Sequence, residues 1–350
     1  MVLVLDDYQF IQHPEIHQAV QLLIERAPDN FHLVLVTRQD PPLPLGRLRV
    51  RGRVTVLRIA DLRFTADESR QFLEASLGPG LQEPALGSLF SLTEGWAAGL
   101  QLASLSLRGH PDMLKFTQAF SGSNHYVIDY LGEEVLRRQP PEIRQFLTQT
   151  AILELMSVDL CDYVLEQASG SAEVLAYLEK ANLFLIPLDE SRTWFRYHRL
   201  FGDYLLSLSP AWLMTNRHAR AGEWYEAHGF VAEALRHTLA AGNTALARQI
   251  IRKAANETIQ WGELSSLLNW INQLPDASVR QDPDLAAYKG MILLLGDQTQ
   301  EAASYAASAE ASLDQESSGD ETGQRGRVTS LKAFLAVSEG NLPASLALCQ

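Results

Sequence analysis

Cysteine is scarce in this chain, with two in 350 residues, Cys161 and Cys349. They lie far apart with no metal-ligand spacing, which excludes a disulfide framework and a zinc module and leaves two reduced, packed thiols. No apolar run approaches the roughly 18 residues that span a bilayer. Met1 is followed directly by strand-like sequence, with neither a basic region nor a cleavage site, so no secretory leader is expected and the cytoplasm is the expected location. Positive charge is also short: 29 Lys and Arg stand against 42 Asp and Glu, a formal net charge of −13. That excludes non-specific nucleic-acid binding by the chain as a whole, because phosphate neutralisation needs a basic face. Catalytic signatures are missing too, with no Gly-x-Ser-x-Gly and no His-Glu-x-x-His. Nor is there a G-x-x-x-x-G-K-[ST] phosphate loop; the glycine clusters at residues 78 to 80 and 95 to 99 lack its lysine and fall in helical context.

What is present starts at the first residue. MVLVLDDYQF is a short apolar run closed by Asp6 and Asp7, the pattern of a buried parallel strand that delivers carboxylates to the carboxyl edge of a sheet. Magnesium on a nucleotide is the usual occupant of such an edge; a cap on the strand end is the alternative. Pro14 opens a helix with Ile16, Val20, Leu23 and Ile24 at helical spacing, and Pro28 ends it. Residues 31 to 36 form a second apolar strand that leads into Thr37 and Arg38, which predicts a parallel crossover. QDPPLPL then reads as an exposed loop. Six arginines alternate with apolar residues from Arg47 to Arg63, either a basic strand face for phosphate or a solvated edge.

Thr65 and Glu68 spell a capping box, so a helix is expected from about residue 66. Helical periodicity continues to about residue 180, broken at Gly78-Pro79-Gly80, Gly109-His110-Pro111 and Pro140-Pro141. Residues 183 to 197 read as two short strands joined by the turn Asp189 to Arg192, and a hairpin after helices is the pattern of a winged helix. Beyond Pro210 the chain is helical, with glycine turns and Ala-rich helices repeating loosely every 35 to 45 residues or so, as in stacked tetratricopeptide-like hairpins. The polar stretch at residues 314 to 326 is expected to be an exposed loop between helices.

Seven segments in order, LVLDDYQFI, LVLVTRQDPPLPLGRLR, LRIADLRFTADE, LTEGWAAGLQLA, VIDYLGEEVLRRQPPEIRQFLTQTAIL, ANLFLIPLD and WFRYHRLF, resemble the MalT-like bacterial regulators, large signal-transduction ATPases that usually end in a LuxR-type helix-turn-helix. The resemblance covers essentially the whole chain. It implies a predominantly α, multidomain chain: a partial P-loop α/β core at 1–62, a helical lid at 63–120, a winged helix at 121–208 and the start of a tetratricopeptide-like α-solenoid at 209–350. It implies ATP or ADP with Mg²⁺ as cofactor, an inducer or protein partner at the repeats, and homo-oligomerisation. Asp6 matches the Walker B acid that holds Mg²⁺ through water, and Asp7 the adjacent acid that orients the attacking water. Arg38 matches a sensor arginine for the terminal phosphate; a surface ion pair with Asp40 or Asp61 is its competing role. Trp96 lies where related switch ATPases carry a Gly-x-Pro segment beside adenine, but the proline is absent and lid core is the alternative. His198 resembles the winged-helix histidine that senses the ADP phosphate in the closed state, or else packs between Tyr197 and Phe201.

The chain thus has the metal side of an ATPase site without its phosphate side. Both ends read as cut, so a fragment or shortened product of a full regulator is expected, its sheet left with exposed edges. A scaffold that binds partners through its repeats is the alternative. A hydrolase built on Asp6, Asp7, His13 and His17 is a third class, but Pro14 starts a helix between the two histidines, which leaves both facing solvent. Direct DNA binding is not expected, since SAEVLAYLEKANL carries Glu173 and Glu179 beside Lys180.

Overall fold

The computed structural model describes residues 1–11, 13–28, 30–78, 83–107, 120, 122–313 and 321–348. The punctuation at residues 79–80 and 109–111, residues 314–320 of the polar stretch, and Cys349 lie outside the described residues. Two compact units divide the chain, Met1–Pro210 and Ala211–Gln350.

In the first unit β1 (Val2–Leu5) pairs in parallel with β2 (His32–Leu35), Val2 opposite His32 and Leu5 opposite Leu35. The crossover is α1 (Pro14–Arg26), with Pro14 at its first turn and His13 just outside it. Among the described residues this sheet has two strands, and it is open to solvent: Val2 is 62% exposed, Val4 56% and Val34 43%. The apolar runs that predict buried strands are therefore real strands with bare faces. The arginine-rich stretch is no strand. Leu45–Val50 is a short helix, α2, and Ile59–Leu62 a single turn, α3, with non-strand backbone between them. Alternation needs a neighbouring strand to bond to; here Arg47 instead pairs with Glu25 and Arg58 with Asp40, at 2.5 and 2.7 Å.

The capping box at Thr65 forms as the sequence predicts. The Glu68 amide donates to Thr65 Oγ1 at 3.2 Å and the Thr65 amide to Glu68 Oε2 at 2.8 Å, opening α4 (Ala66–Leu77). Helices α5 (Glu83–Thr93) and α6 (Ala97–Leu107) bury Leu86, Leu89, Leu100 and Leu107. A short α7 (His125–Tyr130) continues into a π-helical turn at Leu131–Leu136. Then come α8 (Pro141–Thr150), α9 (Val158–Leu165) and α10 (Ser171–Lys180). The expected hairpin follows: β3 (Leu185–Pro187) and β4 (Phe195–Tyr197) pair antiparallel, and Met156 bridges to Phe195. Asp189 makes the turn, its carboxylate accepting from the Thr193 and Trp194 amides at 2.9 and 3.0 Å. After it α11 (Arg199–Ser207) packs Phe201 and Leu205 into the core. Cys161 is wholly buried there, and burial pushes its thiol far above the ordinary range, as suits a packed, unreactive side chain.

The second unit is helical throughout: α12 (Ala211–Ala227), α13 (Val231–Ala240), α14 (Thr244–Gln260), α15 (Leu264–Asn272), α16 (Asp276–Arg280), α17 (Pro283–Leu295), α18 (Thr299–Leu313), α19 (Glu321–Ser338) and α20 (Leu342–Leu348). Helices pack chiefly on their neighbours in sequence, α12 on α13 and α17 on α18. Small residues permit this: a methyl at Gly222 of α12 would lie 2.5 Å from Thr238 Oγ1 of α13. Buried charges clamp α17, with Asp282 facing Arg252 of α14 and Asp284 facing Arg327 of α19. Among the described residues no helix is long and apolar enough to cross a membrane.

The open sheet predicts concentration-dependent self-association of the purified chain, measured by sedimentation equilibrium. Val4→Lys, which sets a charge on the bare face, is expected to shift it towards monomer. A wild-type chain that stays monomeric at high concentration would show that the bare strands do not associate.

Candidate functional site

The structure gathers the residues singled out by the sequence into two groups, and a hydrogen bond ties them. The first is the carboxyl edge of the sheet. Asp6 and Asp7 leave the end of β1 with both side chains exposed, so neither carries the desolvation cost that would demand a cation. Asp7 is left-handed at φ 50°, and its amide donates to Asp6 Oδ1 at 2.8 Å. Gln9 then links the two strand ends: its amide group donates to Asp7 Oδ1 at 2.8 Å while its oxygen accepts from the Arg38 amide at 3.1 Å. Arg38 forms no ion pair among the described residues. Asp40 is taken by Arg58, and Asp61 caps the Arg58 amide at 2.8 Å, so the alternative for Arg38, a surface pair with either acid, is not made. His17 is not free either; its Nδ1 meets the hydroxyl of buried Tyr8 at 2.8 Å. No group of three metal-ligating side chains occurs among the described residues.

The second group lies where the turn between α5 and α6 meets the hairpin. Trp96 and His198 come together with ring centroids 5.8 Å apart, and Phe184 packs edge-on to both, at 5.0 and 5.7 Å. His198 is 3% exposed and packs between these rings rather than between Tyr197 and Phe201, which contact each other. Its backbone amide donates to the Phe184 carbonyl at 2.8 Å and its Nε2 lies 3.0 Å from the Thr93 carbonyl. A carbonyl only accepts, so Nε2 carries the proton and Nδ1 keeps a lone pair. That Nδ1 is buried with no hydrogen-bond partner among the described residues. The tie between the groups is Asn182, whose side-chain amide donates to the Arg38 carbonyl at 2.6 Å. Asn182 and Phe184 both hold left-handed backbone, at φ 51° and 57°.

Glu94 organises this second group. Arg196 of β4 grips its carboxylate with both terminal nitrogens, at 2.7 and 2.9 Å, the Arg199 amide adds a bond at 3.1 Å, and Arg63 approaches to 3.4 Å. Burial alone would raise the Glu94 carboxyl. The Arg196 hydrogen bonds, the neighbouring His198 and the Arg199 amide outweigh that and hold it below the usual carboxylate range. For His198 burial dominates and pushes the imidazole down; Glu94 and the Thr93 carbonyl pull it back up, while Arg63 and Arg196 push further down. The adjacent Gly95 has φ 72°, and a methyl there would lie 2.2 Å from the Phe64 carbonyl, so only glycine fits.

What could these residues hold? The exposed carboxylates suit a hydrated divalent cation. Nothing among the described residues of the edge presents the row of backbone amides and the lysine that grip β and γ phosphates. The spare nitrogen of His198 is an acceptor, so it meets a phosphate oxygen only after taking a proton. The cation side therefore fits and the phosphate side does not. The sequence singles out Asp6, Asp7, Arg38, Trp96 and His198, which the structure places in these two groups, and does not single out Gln9, Asn182 and Glu94, which bond to them or beside them. The signal for Glu94 was the acid-glycine pair just before Trp96, set against two arginines that flank Tyr197-His198.

Because the folded chain depresses the His198 imidazole, the unfolded state binds the extra proton first as pH falls. The stability tied to its neutral form is full above about pH 6.5 and drains away below it, until the folded imidazole also protonates. His198→Gln keeps a donor for Thr93 but cannot titrate. Urea midpoints measured from about pH 7 to 5 are expected to fall less steeply for this variant than for the wild type; parallel slopes would contradict the assignment.

Comparison with known proteins identifies relatives of the chain. Residues 132–209 match the MalT winged helix domain. Over 346 residues, 97% of this chain, the sequence is 32% identical to the HTH-type transcriptional regulator MalT of Cronobacter sakazakii and 31% identical to that of Klebsiella pneumoniae subsp. pneumoniae. Among solved structures, a signal-transduction ATPase with a tetratricopeptide repeat sensor from Pyrococcus horikoshii aligns over 99% of this chain and 48% of that one, at 14% identity and a TM-score of 0.48. The chain spans 38% of the length of each of the two curated relatives. It is a MalT-like chain over nearly its whole length, with a MalT winged helix domain at residues 132–209.

Proposed function

We propose that this chain is part of a nucleotide-controlled transcriptional switch. Residues 1–62 are its Walker B and sensor strands, 63–120 its lid, 121–208 its winged helix, and the helices from 209 the start of a repeat domain that receives an inducer or a protein. In this reading Asp6 holds Mg²⁺ through water and Asp7 orients a water beside it. Arg38 faces the terminal phosphate, Trp96 lines the lid, and His198 belongs to the packed-down state. The observation that carries the reading is the single hydrogen bond from Asn182 to the Arg38 carbonyl. It joins the acid edge to the segment that builds the His198 pocket, as a switch with two coupled parts requires. Transcriptional control is proposed from the relatives' names, HTH-type transcriptional regulator.

The residues of this chain supply the cation side of a nucleotide site and no phosphate cradle, so no hydrolytic step is assigned to it. Titration calorimetry with Mg·ATP and Mg·ADP tests the reading, with the Asp6→Ala, Asp7→Ala double variant as control. Binding in about the millimolar range, dependent on Mg²⁺ and lost in the variant, is expected. Binding that ignores both Mg²⁺ and the two acids, or none at all with the fold intact by circular dichroism, overturns the switch reading and moves the function to the helical second unit.

A further inference from the structure

We propose that Glu94 is the positioning residue for His198: it fastens the hairpin to the turn between α5 and α6 and thereby seals the imidazole against the Thr93 carbonyl. The inference deepens the switch reading proposed above and rests on it for the existence of a second, opened packing.

Two segments distant in sequence converge on this one carboxylate: Arg63 before α4, and the stretch that supplies Arg196 in β4 and the amide of Arg199 at the start of α11. The Glu94 side chain is 13% exposed, whereas the Arg63 and Arg196 side chains keep 30% and 33%. The acid thus sits inside a cationic rim that it neutralises. Its backbone is left-handed at φ 49°, a conformation an ordinary side chain holds only when its surroundings enforce it. The next residue is a glycine that admits no side chain, and its carbonyl accepts from the Phe64 amide at 2.8 Å. The residue before is Thr93, whose carbonyl holds His198 Nε2. The turn 93–95 therefore grips the hairpin by its middle residue and the imidazole by its first. A strained turn is poised to relax once its grip is lost.

Charge decides the direction of that release. With Glu94 ionised, the two guanidiniums share a counter-ion. With its charge removed, Arg63 and Arg196 face each other across a partly buried gap, and breaking one partner of such a cluster costs more than removing both. The charged groups around His198 are Glu94 from the α5–α6 turn and Arg63 and Arg196 from the segments packed beside it. Glu94 is the one acid among them, so it both holds the imidazole in place and favours its protonated form, the form whose Nδ1 can donate to an anion.

The test follows the His198 side chain in the whole chain by heteronuclear NMR, without nucleotide, as pH is lowered, in the wild type, in Glu94→Gln and in the double variant Glu94→Gln, Arg196→Met. Glutamine keeps the shape and removes the charge. If Glu94 only tunes the field, the imidazole stays sealed and becomes harder to protonate than in the wild type. If Glu94 is the fastener, the pocket opens and the titration moves the opposite way, towards the ordinary imidazole value of about 6.5. Amide exchange at Phe64 and Arg199 is then expected to quicken by about five-fold or more, as the loss of one hydrogen bond's usual net contribution implies. The double variant, with no stranded cation in the hairpin, is expected to recover at least part of the wild-type protection. A titration that moves down in Glu94→Gln, or a double variant that exchanges faster than the single one, overturns the proposal. Because no nucleotide is present, failure here leaves the calorimetric test of the switch reading untouched, and failure there leaves this result standing.

Discussion

The two-pronged grip of Arg196 on Glu94 is the contact on which the first unit's site geometry depends. Both arms lie within 2.9 Å, and paired arginine-carboxylate bonds of this kind fix orientation as well as distance. Orientation matters because Arg196 and His198 are alternate residues of one chain segment. Once the arginine is held, the imidazole two residues on has one direction to face, into the rings of Trp96 and Phe184 and onto the Thr93 carbonyl. The rest of the pocket is apolar contact that fills in around this polar frame, and apolar contact by itself has no preferred direction.

The same frame explains why several ordinary residues adopt an uncommon backbone. Glu94, Asn182 and Phe184 are all left-handed without being glycine, and each touches the junction between the α5–α6 turn and the hairpin. Each such residue costs roughly 1 to 3 kcal/mol, to be offset by its neighbours. The neighbours are at hand: Glu94 has its arginines, Asn182 bonds the Arg38 carbonyl, and Phe184 accepts from the His198 amide and packs on the rings of Trp96, His198 and Phe201. Strain that clusters where two parts of a unit meet is strain that parting them would release.

How much of this was legible in the sequence depends on whether the signal was local. Thr65 and Glu68 are three residues apart and cap one helix, so their pattern was sufficient. The hairpin from Leu185 to Tyr197 was readable because its strands and polar turn are contiguous, and the crossover through Pro14 for the same reason. The arginine stretch misled because alternation is only half of a strand; the other half is a partner, and none lies beside Arg47 to Arg63 among the described residues. The five candidate residues were found by their order along a family pattern. Their supporting residues, Gln9, Asn182 and Glu94, act on groups 29, 144 and about 100 positions away, and no periodicity registers such distances.

The unequal fit of the two groups is itself informative. An exposed pair of carboxylates costs a fold almost nothing, so Asp6 and Asp7 could persist at the end of β1 whether or not a cation binds. A buried imidazole with an unpaired nitrogen, and a half-buried carboxylate ringed by arginines, are a different matter. Each carries a desolvation cost that an apolar side chain of the same size would avoid. On physical grounds alone the junction of the α5–α6 turn with the hairpin, more than the strand end, is where the first unit keeps polar groups that packing does not require. Of the two groups, the one at Glu94 and His198 therefore carries the larger desolvation cost, and the side-chain amide of Asn182 ties the acid edge to it.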